Sequence, residues 1–249
     1  MRKSSVLLLS SLLVAGRALA ATGVPPEALG TARYEVNYQL GRISTRVASA
    51  TITLDDSAWE QHAAYHSRAD IKASSVFRLF MRDGYQADVY LSHTDASPLY
   101  FLNPVRKNGA DGKFEYVYDA GGGLIRSETV QPKGETVSTT FPLDGRTMDL
   151  LALLQYIRLR DFSAGETLRM HLLMGGKSFA ATLSCEGTDT ERYPDGSVLR
   201  FHLKMTERGL MENGSGTDIH VWRSTTSDRR LLTLEVPLSS GAMHVRLVP

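Results

Sequence analysis

The sequence predicts a mainly β protein in which a large curved antiparallel sheet, a meander that resembles half a barrel, is covered by one main α-helix. Two observations support this fold class. Short segments of alternating apolar and polar residues recur about every ten residues and are separated by turn-forming residues. One stretch, "DGRTMDLLALLQYIRLRDFSAGE" at 144–166, has helical periodicity instead. An antiparallel sheet with one apolar face needs a covering layer, and we expect this helix to supply it.

The start of the chain has the three parts of a secretory signal peptide. Arg2 and Lys3 form a positive start, residues 6–15 form a short apolar run, and Ala-Leu-Ala at 18–20 forms a small-residue cleavage site. The apolar run is too short to span a membrane. We therefore predict a signal peptide at 1–20, a lead-in at 21–30 and a single β-rich domain at 31–249. The predicted location is the periplasm, with no membrane span after cleavage; an outer-surface or extracellular location stays open.

The first half of the domain is predicted to consist of strands. In "RYEVNYQLG", Tyr34, Val36 and Tyr38 share one face, which is typical of a half-buried strand. The stretch "AWEQHAAYHSRADIKA" at 58–73 is interpreted as one continuous strand. Turns are expected at Asn108-Gly109 and at the glycines of 121–123. The remaining strand segments are "ISTRVASATITL", "GYQADVYLS", "PLYFLNPVRKNG", "GKFEYVYDA" and "GLIRSETVQP".

The helix is predicted over 147–160. Its apolar face carries residues at helical spacing: Leu150, Leu153, Leu154 and Ile157. Asp144 or Thr147 is expected to cap the start, and Asp149 is expected to interact with the helix dipole in the first turn. Gly165 lies just beyond the expected end.

Strands resume after the helix. Their segments are "TLRMHLLMGG", "KSFAATLSCEG", "SVLRFHLKMTE", "TDIHVWRST", "RRLLTLEVPLS" and "AMHVRLVP". Cys185, the one cysteine, shares a strand face with Phe179, Ala181 and Leu183. We interpret it as a buried, inert thiol, because free cysteine is among the most buried residue types.

Charge and motifs exclude several classes of function. The formal net charge of the chain is +1, so no bulk electrostatic attraction to nucleic acid is expected. His62 and His66 form a close histidine pair, but four residues along a strand separate them too far to share a metal. No cofactor or metal site is predicted, and no catalytic motif is found. We therefore expect a protein that is not an enzyme.

Two groups of residues are candidates for binding. The helix face formed by Leu150, Leu153, Leu154 and Ile157 could hold a lipid-like ligand against the sheet, although such faces usually form solid core. Four arginines near the last hairpins could contact an anion or a partner: Arg223, Arg229, Arg230 and Arg246. Their alternative interpretation is a solvated strand face. Eight aromatic residues are interpreted as core and cross-strand packing: Tyr34, Tyr38, Tyr90, Tyr100, Phe101, Phe114, Tyr116 and Tyr118.

The helix and the closing strands also carry a family resemblance. An Asp-Leu-Leu helix ends in Tyr-x-Arg and is followed by a glycine and a glycine-bearing hairpin, here Asp149, Leu150, Leu151, Tyr156, Arg158, Gly165, Gly175 and Gly176. The closing strands add Trp222, Asp228, Arg229, Arg230, Val236, Gly241 and Leu247, although Leu231-Leu232 replaces a proline that often follows the basic turn. These features resemble the bacterial exported family catalogued as domain of unknown function 3108. The resemblance implies a secreted, envelope-located domain whose shape is similar to that of the periplasmic lipoprotein carriers.

These observations together predict an exported cell-envelope protein with a non-catalytic binding or scaffolding role. Its ligand could be an apolar or lipid-like molecule held between sheet and helix, and its partner could be an envelope protein. Two alternatives stay open: an interaction protein that docks a partner without a small ligand, and a hydrolase whose site is assembled only in space.

Overall fold

The structure is a computed structural model that describes residues 24–74, 84–107, 110–131, 134–143, 146–205, 218–238 and 240–249. The predicted signal peptide, the expected cap Asp144 and the expected turn Asn108-Gly109 lie outside these residues. The last part of the predicted lead-in is packed, because Ala28 is buried and Val24 and Leu29 contact the core.

In the described ranges, nine strands precede the helix, of which the first eight are β1 (Gly30–Leu40), β2 (Ile43–Trp59), β3 (His62–Ala73), β4 (Tyr85–Ser92), β5 (Pro98–Lys107), β6 (Ala110–Asp119), β7 (Leu124–Val130) and β8 (Thr136–Pro142). A short strand, β9 (Thr147–Asp149), leads directly into the helix α1 (Leu150–Leu159). Six strands follow: β10 (Thr167–Met174), β11 (Lys177–Thr188), β12 (Val198–Met205), β13 (Asp218–Ser224), β14 (Leu231–Leu238) and β15 (Gly241–Val248).

Alternation of apolar and polar residues determines which side of each strand is buried. On β4, Ala87, Val89 and Leu91 are fully buried, whereas the residues between them are half-buried. On β11, the predicted apolar face that includes Cys185 is buried. On these strands the period of two places one side in the core, whereas β8 has no buried residue and all three residues of β9 are buried.

One strand prediction was wrong. The stretch 58–73 is not continuous, because β2 ends at Trp59 and β3 begins at His62. Trp59 and His62 face each other across a two-residue hairpin turn, in which Glu60 has a φ of 54°. The polar pair Glu60-Gln61 lacks the glycine or asparagine that usually marks such a turn, so alternation alone did not reveal it.

The fifteen strands within the described part of the chain form one sheet, in the order β8-β7-β6-β5-β4-β3-β2-β1-β15-β14-β13-β12-β11-β10-β9. Neighbours are antiparallel except β9 and β10, which are parallel. The first and last strands, β1 and β15, pair in the middle of the sheet. The edge strands β8 and β9 are consecutive, but among the residues that the structure describes no hydrogen-bonded ladder joins them, so the sheet is not closed. The predicted fold class, a mainly β antiparallel meander with one helix, is confirmed.

The helix differs from the prediction in its start. Residues 147–149 pair with residues 171–173 of β10 as strand β9, so α1 begins at Leu150 rather than at 147. Asp149 provides the cap, because its side chain accepts a hydrogen bond from the Ala152 amide. Thr147, one of the two expected caps, is therefore a strand residue.

The helix is enclosed by the sheet. It contacts β3 and β4 as well as β9 and β10, which are far apart in the strand order, so the sheet curves around it. Even its polar residues Gln155 and Arg158 are buried, with exposed fractions of 0% and 3%. A cover would leave its outer face in water, whereas α1 lies inside the curved sheet. None of the helices in the described ranges has the length and apolarity needed to cross a membrane.

Candidate functional site

The predicted ligand-binding face of α1 lies in the core. Leu153 and Ile157 are almost completely buried, and Leu150 and Leu154 are half-buried and pack against the same core. The opposite side of α1 is buried as well, through residues that include Tyr156 and Leu159. The four residues come together as predicted, but they form only part of a helix that is surrounded by protein.

Two of the predicted anion-binding arginines bind the C-terminal end of α1. Arg223 donates from Nη1 to the carbonyl oxygens of Ile157, at 2.6 Å, and Arg160, at 2.7 Å. Arg229 donates from Nη1 to the Leu159 carbonyl at 2.9 Å and from Nη2 to Asp161 Oδ1 at 2.6 Å. Positive charge at this end also suits the helix dipole. Burial, followed by the charge of Arg229, lowers the pKa of Arg223 to about 10.

The other two arginines lie at the surface. Arg230 places Nε 3.2 Å from Asp228 Oδ2, and Arg246 is exposed on β15, opposite Glu35 and Thr233 in the strand register. The structure thus brings Arg223 and Arg229 together at the end of α1, where they hold backbone carbonyls.

The close histidine pair is on one strand, as the sequence indicates. His62 is exposed at the start of β3, and His66 Nε2 lies 2.9 Å from Asp88 Oδ1. Within the described ranges, no group of three or more potential ligands is arranged to hold a metal ion.

A polar cluster lies at the N-terminal end of α1, inside the core. We call it the seam cluster; it consists of Tyr118 on β6 and of Thr147 and Asp149 on β9. All three residues are buried, with Asp149 only 1% exposed. Among the described residues, the hydroxyls of Tyr118 and Thr147 and the Oδ2 atom of Asp149 have no hydrogen-bond partner of normal geometry, although Tyr118 and Asp149 interact with each other. Buried polar groups are nearly always hydrogen-bonded, so these atoms could accept or donate a further hydrogen bond.

Within the seam cluster, Asp149 and Tyr118 each affect the pKa of the other. Burial raises the pKa of Asp149 from 3.8 to about 7, although the amides of Ala152, Asp149 and Leu151 and the Tyr118 hydroxyl act in the opposite direction. Burial and then the charge of Asp149 raise the pKa of Tyr118. The carboxyl group can therefore be either a hydrogen-bond donor or an acceptor near neutral pH.

The seam cluster lies where the sheet fails to close. Tyr118 belongs to the half of the sheet that ends at β8, whereas Asp149 belongs to the edge strand β9. A second contact joins the two halves, because the Gly176 amide donates to the Tyr116 hydroxyl at 3.0 Å. Gly176 also approaches β7 closely, since a Cβ there would lie 3.3 Å from Thr129 Oγ1. In the described part of the chain, the two halves of the sheet are thus joined by side-chain contacts and by the turn at Gly176, and not by backbone hydrogen bonds between β8 and β9.

Sequence reasoning missed the seam cluster. Tyr118 was expected in the core, and Asp149 was expected at the helix dipole, but nothing in the sequence places them together. Strand parity could have shown that Tyr118 points inward. Its approach to Asp149 depends on how fifteen strands curve, which no local pattern encodes.

Some of the aromatic residues expected in the core lie on the outer face. The Trp59 ring stacks on Tyr100 with centroids 4.2 Å apart and approaches Tyr90 at 4.7 Å. These rings come from β2, β4 and β5, so the contacts join strands that are not direct neighbours of β2 in the sheet. The side chains are half-buried, so this cluster fits the cross-strand packing part of the prediction.

Comparisons with known proteins agree with the fold. No curated protein matches the sequence. The chain is similar to the crystal structure of a beta-barrel-like protein of domain of unknown function DUF1849 from Brucella abortus, with 8% identity and a TM-score of 0.52; the match covers 88% of this chain and 94% of that chain. At this identity the similarity concerns the fold alone. The protein family described as "Protein of unknown function (DUF3108)" matches residues 33–248, so the chain belongs to the DUF3108 family.

Proposed function

We propose that the chain is an exported, non-catalytic binding protein of the cell envelope that holds an amphiphilic, lipid-like molecule between the sheet and α1. The observation that carries the proposal is the seam cluster. The hydroxyls of Tyr118 and Thr147 and the Oδ2 atom of Asp149 lack hydrogen bonds of normal geometry to the described residues and lie beside an apolar core. An apolar site with a few convergent polar groups is the usual composition of a small-molecule site.

The position of the seam cluster supports an amphiphile over a purely apolar ligand. The edge strands β8 and β9 are not joined by a ladder, so separating them breaks fewer backbone hydrogen bonds than separating any paired strands. A ligand entering there meets Tyr118, Thr147 and Asp149 first and the apolar residues around Leu153 and Ile157 beyond them. A hydroxyl or amide on the ligand would satisfy the polar groups, and an alkyl chain would meet the apolar ones.

The first test is displacement of a fluorescent fatty-acid probe. Saturable binding is expected with the folded protein. Tyr118→Phe, which removes one hydroxyl, should raise the dissociation constant roughly five- to tenfold, the size of one hydrogen bond. Leu153→Trp should abolish binding by filling the space beside α1. The matched control is Tyr38→Phe, because the Tyr38 hydroxyl donates to the Ser240 carbonyl at an exposed position.

Two results would contradict the proposal. One is the absence of saturable binding by the wild-type protein. The other is equal weakening by Tyr118→Phe and Tyr38→Phe, which would locate the probe outside the seam. Circular dichroism melts of each variant separate loss of binding from loss of folding.

Export is tested separately. The signal peptide at 1–20 predicts that the mature protein begins at Ala21. N-terminal sequencing of protein from the periplasmic fraction checks this, and a chain that retains Met1 would rule out export by this signal.

A further inference from the structure

Two arginines lie over one buried aromatic ring. The guanidinium carbon of Arg146 is 5.2 Å from the centroid of the Tyr156 ring, and that of Arg160 is 5.7 Å from it. Arg146 directly precedes β9, and Arg160 follows the last residue of α1. The Tyr156 ring is only 1% exposed, whereas Arg146 is exposed. The ring therefore marks the boundary between the core and the solvent.

Both arginines retain hydrogen-bond donors. Arg146 donates from Nη1 to the Tyr156 hydroxyl, which leaves Nε and Nη2. Arg160 places Nη2 2.5 Å from Glu166 Oε1, while its buried Nη1 has no partner among the described residues. A guanidinium presents its donors in a fixed fork that matches a carboxylate or a phosphate.

Both positive and negative charges act on this pair. Burial and then the charge of Arg160 lower the pKa of Arg146, whereas the charges of Asp95 and Glu166 raise it. Two guanidinium groups held near each other repel, and an anion bound between them removes this repulsion. Glu166 forms an ion pair with Arg160 and also acts on Arg146. Arg146 is exposed whereas Arg160 is half-buried, so the guanidinium group of Arg146 is the more accessible of the two to an added anion.

We propose that Arg146 and Arg160 bind the anionic head group, a carboxylate or a phosphate, of the lipid-like ligand; this inference rests on the proposed function. Arg146 and Thr147 are consecutive residues at the β9 side of the seam. The head group thus meets the arginines, and a hydrogen-bonding group near it meets the seam cluster. The ligand class is an anionic amphiphile such as a fatty acid or a lipid phosphate.

The test compares head groups on one alkyl chain. The full-length mature protein is loaded with the neutral apolar probe N-phenyl-1-naphthylamine, which is then displaced by dodecanoic acid, dodecyl phosphate or dodecanol. The concentration that displaces half of the probe should be about tenfold lower for both anions than for the alcohol, which is the advantage expected of a charge-assisted contact. Arg146→Gln should remove most of that advantage and leave displacement by dodecanol unchanged. Arg126→Gln, at an exposed arginine on β7, is the matched control and should leave all three unchanged.

Each contrary outcome has a definite meaning. Equal displacement by the acid, the phosphate and the alcohol would overturn the head-group assignment and leave the proposed function intact. The head-group assignment would also be overturned if Arg146→Gln weakened displacement by dodecanol as much as displacement by the two anions. Failure of every amphiphile to displace the probe would overturn both proposals. Titration with acetate and inorganic phosphate separates the sources of the anion, and binding of either as tight as that of its dodecyl form would show a site for free anions instead.

Discussion

Asp149 is a single residue with two effects of opposite sign on the free energy of unfolding. Its carboxylate caps α1 through the Ala152 amide, which stabilises the fold. Its burial raises its pKa from 3.8 to about 7. The folded chain therefore binds this proton more tightly than the unfolded chain. Below the unfolded pKa both states are protonated. As the pH rises from about 4 to about 7, the unfolded chain releases this proton while the folded chain still holds it, so the free energy of unfolding falls. Above about pH 7 the buried carboxyl group is ionised as well, and the loss is complete.

Asp149→Asn should remove this pH dependence. The asparagine side chain can still accept the Ala152 hydrogen bond, and it carries no charge. The difference in unfolding free energy between the variant and the wild type should grow in favour of the variant by a few kcal/mol between acidic pH and pH 8, since one pKa unit corresponds to about 1.4 kcal/mol. Urea melts across this range measure it. Parallel pH profiles for the two proteins would show that Asp149 ionises as freely in the folded state as in the unfolded state.

Arg223 is the second residue for which burial has a clear consequence. It supplies hydrogen bonds to two carbonyls at the end of α1 and is 4% exposed. Arg223→Ala should reduce the unfolding free energy by about 2–4 kcal/mol, because it leaves both carbonyls without a donor. Arg230→Ala, which removes an exposed arginine beside Asp228, should change it by less than about 1 kcal/mol. Similar small losses in both variants would show that water replaces the Arg223 contacts.

For the secondary-structure elements, the sequence predicts which elements exist and whether each is a helix or a strand. It predicts less well what surrounds each element. Apolar spacing from Leu150 to Ile157 identified α1, since a period of 3.6 depends only on local residues. The same pattern placed its start at 147, because it does not show that residues 147–149 pair with β10. It also gave no sign that Gln155 and Arg158 are buried, since polar residues usually mark a solvent-exposed face. Enclosure of the helix depends on strands distant in sequence.

The enclosure of α1 changes the expected cost of truncating its side chains. Ile157 is fully buried, so Ile157→Ala should lower the unfolding free energy by about 2–5 kcal/mol. Leu154 is only half-buried, so Leu154→Ala should cost roughly half as much. Denaturant melts with unchanged m-values provide the comparison. A larger loss of unfolding free energy in Leu154→Ala than in Ile157→Ala would mean that Leu154 contributes more to packing than its partial burial indicates.

Over the whole molecule, the arrangement of the strands determines where the sheet is weak. The sequence predicted a meander, because strand segments are regularly spaced and separated by turns. It did not predict that the first strand pairs with the last, so that the two edges fall at β8 and β9. The seam, and with it the approach of Tyr118 to Asp149, follows from this arrangement. The candidate site is thus a product of topology, whereas the strands and the helix that build it are products of local pattern.

The pairing of β1 with β15 predicts that the C-terminal strand is required for the whole sheet. Val36 faces Val245, and Val245 also faces Leu234, so β15 joins the two halves of the sheet through residues far apart in the chain. A chain that ends at Leu238 should lose its cooperative melt and self-associate, because β1 and β14 would become unpaired inner edges. Such long-range pairing should also make refolding slow. The matched control ends at Val248 and lacks only Pro249, which lies beyond β15. Circular dichroism melts and size-exclusion chromatography distinguish the two, and a monomeric truncated chain that melts within a few degrees of the control would show that the halves of the sheet are stable without β15.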